Sequence, residues 1–326
     1  MTSSDAPEVL PDARVSTDRV LPLVVECTTA DLDPARWAAT NRDALSGLLH
    51  RSGALLFRGF TPGSLDDFHR FIAAVSGEPL TYQERSSPRH EISDRIYTST
   101  DYPPDREIHL HNEQSYNVAW PMRIFFHCLV APAAGGGTPV ADCRKVYQRL
   151  SPQTRRPLEE RGYMCTRHFG TGFGLSWREA FQTDDPSAVE RYCLEHDITC
   201  SWASDGTLTT RQVRPTSARH PVTGEWTWFN HLTFFHVSTL GPVIAKALLS
   251  MGQENLPNNT YYGDGADIEP TVLEELRAAY AAEKVVVPWR AGDIMMIDNM
   301  LAAHGREAFT PPRRIAVGMT ELYSAR

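Results

Sequence analysis

The sequence predicts a mostly β protein with helical additions, a barrel elaborated by inserted helices. Three observations predict it. Short apolar, strand-like runs stand near both ends of the chain, around residue 55 and again over 285–322. Helical stretches lie between them, and residues 160–235 mix turns, short strands and helices with many Arg, Trp and His. No internal repeat, low-complexity linker or compositional break divides the chain. Residues 19–326 therefore read as one domain, a size that a single elaborated barrel can fill. An insertion at about 150–235 is long enough to act as a lid.

The elements follow in chain order. Residues 1–18 are rich in Ser, Asp and Pro and are expected to form a disordered arm, with none of the apolar core of a signal peptide. Over 32–50, Leu32, Trp37, Ala38, Leu45, Leu48 and Leu49 fall at helical spacing, and Gly53 stops the helix. Residues 54–60 form a short buried strand. Ser64 then caps a second helix with Asp66 and Asp67 at its positive end and Leu65, Phe68, Phe71, Ile72 and Val75 as its apolar stripe. From Ile96 the pattern turns strand-like: 108–116 alternates, 123–130 is an apolar run, and 135–142 is a turn followed by a strand. Helices are expected over 143–158, 240–251 and 269–282, and strands over 285–289, 293–297 and 314–322.

Composition narrows the function classes. The formal net charge is -8 and no long basic block occurs, which excludes a nucleic-acid partner drawn in by bulk charge. No run of about 18 apolar residues exists to span a membrane. Cys27, Cys128, Cys143, Cys165, Cys193 and Cys200 are scattered without a CxxC pair. Reduced thiols in a cytoplasmic protein are the expectation, rather than disulfides or a cysteine zinc site.

One constellation carries chemistry. His109-Leu110-His111-Asn112-Glu113 lies in an expected strand, where alternation puts 109, 111 and 113 on one face. His111 and Glu113 can then approach one metal from the same side, though a lone His-x-Glu also suits a polar strand face. His304 is the candidate third ligand. Two histidines and one carboxylate leave open positions on an octahedral metal, the arrangement of iron(II) oxygenases. Ten residues later, Arg314 offers a guanidinium fork that suits a carboxylate.

Taken together, His111-x-Glu113, Gly136-Gly137-Thr138, Gly292-Asp293, Asp298-Asn299, His304-Gly305-Arg306 and Arg313-Arg314-Ile315 resemble the taurine dioxygenase and clavaminate synthase-like superfamily, in order and spacing, from about residue 55 to 322. The resemblance implies a double-stranded β-helix (jelly-roll) core. It implies Fe(II) on His111, Glu113 and His304, and 2-oxoglutarate and dioxygen as co-substrates. Thr138 and Arg314 would hold the distal carboxylate of 2-oxoglutarate. Oxidative decarboxylation to succinate would drive hydroxylation of an unactivated C–H bond. Two departures shape the substrate. Glu113 stands where taurine-type members usually carry Asp, and it speaks against the related halogenases. Gly318 stands where those members carry a second arginine for a sulfonate.

The segment 114–121 resembles members that hydroxylate amino acids, free or tethered to a carrier protein, beside peptide synthetases in antibiotic pathways. A small-molecule substrate of that class is expected, covered by segments 99–102, 114–120 and the lid. Ser99, Gln114, Tyr116 and Asn230 are candidate contacts. Arg167 and Arg219, with Arg211 and Arg214, are candidates for a substrate carboxylate, each with a surface charge as the plainer alternative. The same chemistry could end in desaturation or cyclisation. A non-catalytic ligand-binding jelly roll would not need all three ligands, and a zinc hydrolase would leave Thr138 and Arg314 without a task.

Overall fold

Runs of β-branched and aromatic residues from opposite ends of the chain pair with one another, and that pairing sets the architecture. The computed structural model describes residues 10–16, 18, 20–81, 91–99, 102–170, 174–250, 252–253 and 256–324. Ala13–Val15 (β1) lies antiparallel to Leu23–Cys27 (β2), which runs parallel to Ala54–Arg58 (β3). The arm expected over 1–18 is thus partly built into the sheet, because Leu10 is buried in the core and Val15 pairs with Val25. Residues 1–9 and 17 lie outside the described residues.

The single helix expected over 32–50 is two, Pro34–Thr40 (α1) and Arg42–Ser52 (α2). Buried Asn41 breaks the run by turning its Nδ2 onto Trp37 O. Gly53 ends α2 with φ 83°, and Ser64 caps Leu65–Ser76 (α3) on Asp67 N–H, both as the sequence predicts. Short strands Glu91–Ser93 (β4) and Ile96–Thr98 (β5) precede Ile108–His111 (β6), the long Ala119–Val130 (β7), Ala134–Gly135 (β8) and Val140–Asp142 (β9). The helix expected over 143–158 is divided into Cys143–Arg149 (α4) and Pro152–Arg161 (α5), since Ser151 starts a new N-cap before Pro152.

The elaborated region contains Tyr163–Phe169 (β10), Trp177–Phe181 (α6), Pro186–Glu195 (α7), Thr199–Trp202 (β11), Leu208–Arg214 (β12), Ser217–Arg219 (β13), Trp226–Trp228 (β14) and Leu232–Phe235 (α8). Pro242–Ser250 (α9), Asn258–Tyr262 (β15) and Pro270–Glu283 (α10) lead to Ile294–Asp298 (β16), Ala302–Arg306 (β17), Phe309–Thr310 (β18) and Arg314–Ser324 (β19). The strand expected over 285–289 is not formed. Val285 makes one bridge to Val140, and Pro288 has no N–H with which to continue a ladder.

Among the described residues, eight strands form one sheet in the order β1-β2-β3-β16-β7-β19-β5-β4, and β6-β17-β9 form a second. Alternation assigns their faces. Ile124, Phe126, Met295, Ile297, Ile315 and Val317 join Val140 and Ala302 of the smaller sheet in one buried cluster between the sheets. Their neighbours Phe125, Met296 and Ala316 face the opposite way and pack with α1, α2 and α3. Ala141 and Ala303 turn outward from the smaller sheet onto residues of α4, α8 and α10. The result is a jelly roll with helices on both outer faces. The four-stranded sheet β11-β12-β10-β15, with its own core around Phe169, Trp177 and Leu208, forms much of the elaboration.

Candidate active site

The smaller sheet brings the two histidines together. His304 on β17 stands directly opposite His111 at the end of β6, with ring centroids 4.5 Å apart. The ladder slips between them and the next pair, Arg306 and Ile108, so β6 takes three steps where β17 takes two. Gly305 permits this close approach, because a Cβ there would lie 2.5 Å from Ile108 O. The slip also overturns the expected shared face of 109, 111 and 113. His109 is exposed and pairs with Glu107, while His111 is buried.

Glu113 reaches the histidines from a turn rather than a strand, because β6 ends at His111. The turn is held from the other side by Asn299. Its Oδ1 accepts from Glu113 N–H at 2.8 Å, and its Nδ2 donates to Glu113 O at 2.8 Å and Pro121 O at 2.9 Å. Asn112 Nδ2 closes the frame on Asn299 O at 2.7 Å. One ligand atom each from His111, Glu113 and His304 lie within 4.8 Å of one another, and all three residues are buried. His111 Nδ1 lies 2.8 Å from His109 O, which fixes the proton on Nδ1 and the lone pair on Nε2. Donor chemistry, burial and convergence all fit a facial iron(II) site.

A second group, His50, His220 and Asp298, satisfies the same distance criterion. The nitrogens of His220 are committed elsewhere. His220 Nδ1 accepts from the backbone N–H of Val222 and Thr223, so the proton sits on Nε2 and is donated to Asp298 at 3.0 Å. Asp298 Oδ1 accepts from Met300 and Leu301 N–H. This group fastens the turn that carries Asn299.

Thr138 is buried, and its Oγ1 accepts from Trp289 Nε1 at 3.1 Å. The hydroxyl proton is thereby left for another acceptor. The arginine expectation is reversed. Ile315 and Val317 face the interior, so alternation turns Arg313 inward and Arg314 outward, and Arg314 is exposed. A register shift against β7 falls between Arg314 and Ile315. Arg313 Nε donates to Gly136 O at 2.8 Å, and Nη1 to Ser99 Oγ at 3.4 Å. A Cβ at Gly136 would lie 3.1 Å from Arg313 Cδ, so glycine makes room for this approach. Burial, with Arg306 nearby, lowers the Arg313 pKa to about 10. Gly318 faces Ile72 on the helical side, and the interior position of that pair is Val317. Either way, no second arginine is present.

The substrate candidates separate. Ser99 lies with Arg313 in a cavity of about 500 Å³ whose wall also includes Arg306 and Arg314. Thr100 and Asp101 lie outside the described residues. Gln114 is buried with φ 53° and lines a cavity of about 210 Å³ with Asn117, Tyr192, His196 and Met319. Tyr116 is fully buried and packs on His231 and Phe235, behind the site. Asn230 is corrected to a local brace: Nδ2 donates to Thr216 O and Oδ1 accepts from Leu232 N–H. Arg219 is exposed over Trp226, and Arg211 is exposed. Arg214 is buried, with its guanidinium on the carbonyls of Tyr116, Asp197, Val213 and His196. Arg167 alone of the four is both buried and near the ligands. Its charge reaches His231, and its guanidinium lies 4.8 Å from the Phe169 ring centroid.

His231 was not singled out in the sequence, where Asn230 beside it drew attention. It is fully buried, with its ring centroid 5.4 Å from that of His111. Ser115 Oγ donates to Asn112 O, so it accepts from His231 Nδ1. Burial, then the field of His111, holds its pKa well below the usual histidine value. No pattern of spacing marks such a residue, because α8 brings it in from the elaboration. All six cysteines are free, and burial raises the thiols of Cys128 and Cys143 to about 11 and 12. No helix among the described residues is long and apolar enough to cross a membrane.

Comparisons with known proteins agree with this geometry. Residues 19–320 match the model of the taurine catabolism dioxygenase TauD, TfdA family. The chain is 38% identical to a dapdiamide synthesis protein of Enterobacter agglomerans over 84% of each chain. It is 30% identical to a clavaminate synthase-like protein of Arabidopsis thaliana over 86% of this chain and 85% of that one. Among solved structures it resembles PvcB of Pseudomonas aeruginosa, described as an Fe, alpha-ketoglutarate dependent oxygenase from an isonitrile synthetic pathway. The TM-score is 0.55 at 18% identity, covering 98% of this chain and 94% of that one.

Proposed function

This chain belongs to the taurine catabolism dioxygenase TauD, TfdA family, and we propose that it hydroxylates an unactivated C–H bond of an amino acid or amino-acid-derived metabolite. It is a 2-oxoglutarate-dependent, non-haem iron dioxygenase. The observation that carries this reading is the convergence of His111, Glu113 and His304 within 4.8 Å in a buried site. Iron(II) bound there supplies the oxidising chemistry that turns 2-oxoglutarate and dioxygen into succinate, carbon dioxide and an oxidised product.

The chain's own residues do the rest. His111 and His304 present neutral imidazoles and Glu113 a carboxylate, a donor set with net charge that suits a divalent cation. Arg313, in place of Arg314, takes the distal carboxylate of 2-oxoglutarate in its fork, with the Thr138 hydroxyl as a further donor. A half-buried guanidinium with no acidic partner among the described residues favours an anion, which would restore its lost solvation. Arg167 holds the substrate carboxylate, and Val317 explains why no sulfonate anchor is expected. The elaboration covers the site and keeps water from the reacting atoms.

Kinship at 38% identity with a dapdiamide synthesis protein supports a biosynthetic small molecule as substrate, free or presented on a carrier protein. The test is mass spectrometry after incubating the iron-loaded protein with 2-oxoglutarate and a panel of free and carrier-bound amino acids. One added oxygen atom with stoichiometric succinate supports hydroxylation. Loss of two hydrogen atoms moves the assignment to desaturation or cyclisation. Absence of succinate with every substrate contradicts the reading.

A further inference from the structure

One feature of Arg313, a half-buried guanidinium with no acid paired to it among the described residues, recurs at Arg277. Several other buried or half-buried arginines are compensated. Arg58 pairs with Asp293, Arg144 with Asp142 and Glu225, and Arg123 with Glu321, while Arg214 and Arg306 are engaged by backbone carbonyls. Arg277 on α10 forms no ion pair among the described residues. Its hydrogen bonds run from Nη2 alone, to Ser238 Oγ at 2.5 Å and Thr239 Oγ1 at 3.5 Å, both neutral. A guanidinium has five N–H donors, and those on Nε and Nη1 have no partner among the described residues.

Arg277 lines a cavity of about 300 Å³, with Lys284, Thr233, Thr239 and Tyr280 among its walls. That volume lies at the lower end of the range for small-molecule sites. Burial lowers the Arg277 pKa, with the field of Glu274 acting in the opposite sense. Its field reaches His236, whose pKa falls to about 4 through burial and then through Arg277. Ser238 N–H and Oγ–H both donate to His236 Nδ1, so the serine oxygen facing Arg277 is locked as an acceptor. Glu107 is the acid on the cavity wall, and it pairs with His109 at 3.1 Å. The cavity therefore offers two cations, Arg277 and exposed Lys284, and one acid, Glu107, with hydroxyls around them.

We infer that this cavity binds a phosphate group, set apart from the His111, Glu113 and His304 site, with Arg277 as its fork and Lys284 as its second cation. A phosphate carries about -1.5 to -2 charge at neutral pH and is attracted by the two cations, whose charge Glu107 offsets in part. The Arg277 fork suits two phosphate oxygens, and Lys284 acts as a point charge. The phosphate belongs either to the free ion or to a phosphate monoester metabolite.

The test is calorimetric titration of the full-length protein with inorganic phosphate and, separately, with glycerol 3-phosphate. Both are run in an Arg313→Met background, so that binding at that guanidinium does not contribute. One-site binding is expected, weakened at least about tenfold by adding Arg277→Met, the loss expected when a charge-assisted bidentate contact is removed. Tighter binding of glycerol 3-phosphate assigns the site to a monoester, and equal or weaker binding assigns it to the free ion. Should the Arg277 variant not fold, Lys284→Met at the exposed wall carries the test, with several-fold weaker binding expected. No heat at millimolar phosphate, or an affinity unchanged by whichever of these variants folds, would overturn the inference. Succinate formation by Arg277→Met in the otherwise native chain should match wild type, which separates this site from the oxygenase reading.

Discussion

Among the described residues, two groups contain two histidines and one carboxylate with ligand atoms within 4.8 Å of one another, and they serve opposite purposes. In His50, His220 and Asp298, the hydrogen bonds already in place use both nitrogens of His220 and both oxygens of Asp298. In His111, Glu113 and His304, the bond from His111 Nδ1 to His109 O leaves the lone pair of Nε2 toward the carboxylate and the other ring. The comparison teaches that convergence alone does not make a metal centre. The proton positions decide, and backbone hydrogen bonds set those positions. The second group also serves the first, since Asp298 shapes the turn from which Asn299 grips Glu113.

The largest contrast comes from deleting a histidine from each group. His111→Ala or His304→Ala should reduce succinate formation to background and abolish stoichiometric iron binding. His220→Gln should keep one iron per chain, and an iron assay on both proteins tests the distinction. Next, Asn299→Ala should weaken metal affinity about 10–100-fold, the usual cost of losing a group that orients a ligand. Cobalt(II) titration followed by visible absorption measures this, and an unchanged affinity in a folded variant removes Asn299 from the account. Arg313→Lys should raise the KM for 2-oxoglutarate at least about tenfold, because the fork is lost. Arg314→Lys should leave it within about twofold, as expected of an exposed charge. The reverse outcome would restore the assignment made from the motif. Arg167→Ala should raise substrate KM while Arg211→Ala and Arg219→Ala do not. Smallest is the effect of His220→Leu on stability, about 1–3 kcal/mol from leaving buried Asp298 short of a donor, read from denaturant unfolding.

The sequence made the ligands legible because each motif is short and local: His-x-Glu beside a strand, His304 ahead of the last strand, and a glycine-rich turn before Thr138. The helix stops at Gly53 and Ser64 were legible for the same reason, since each acts within one turn of its own position. What failed were statements that depend on strand parity through an irregularity. The slip in β6 turned His109 out, and beside the shift at Arg314 and Ile315 the motif alone did not give the parity that interior Ile315 and Val317 show. Counting residues cannot locate a bulge, because its cause is a neighbouring strand distant in sequence. His231 and the role of Asn299 were hidden for a related reason. Their partners, Ser115 and Glu113, lie more than 100 residues away.

The most direct measurement is anomalous scattering from crystals grown with iron(II) in the absence of oxygen. The account predicts one iron peak bounded by His111, Glu113 and His304, and none at His50, His220 and Asp298. A peak at the second group, or iron bound at one equivalent per chain without a peak at the first, would contradict it.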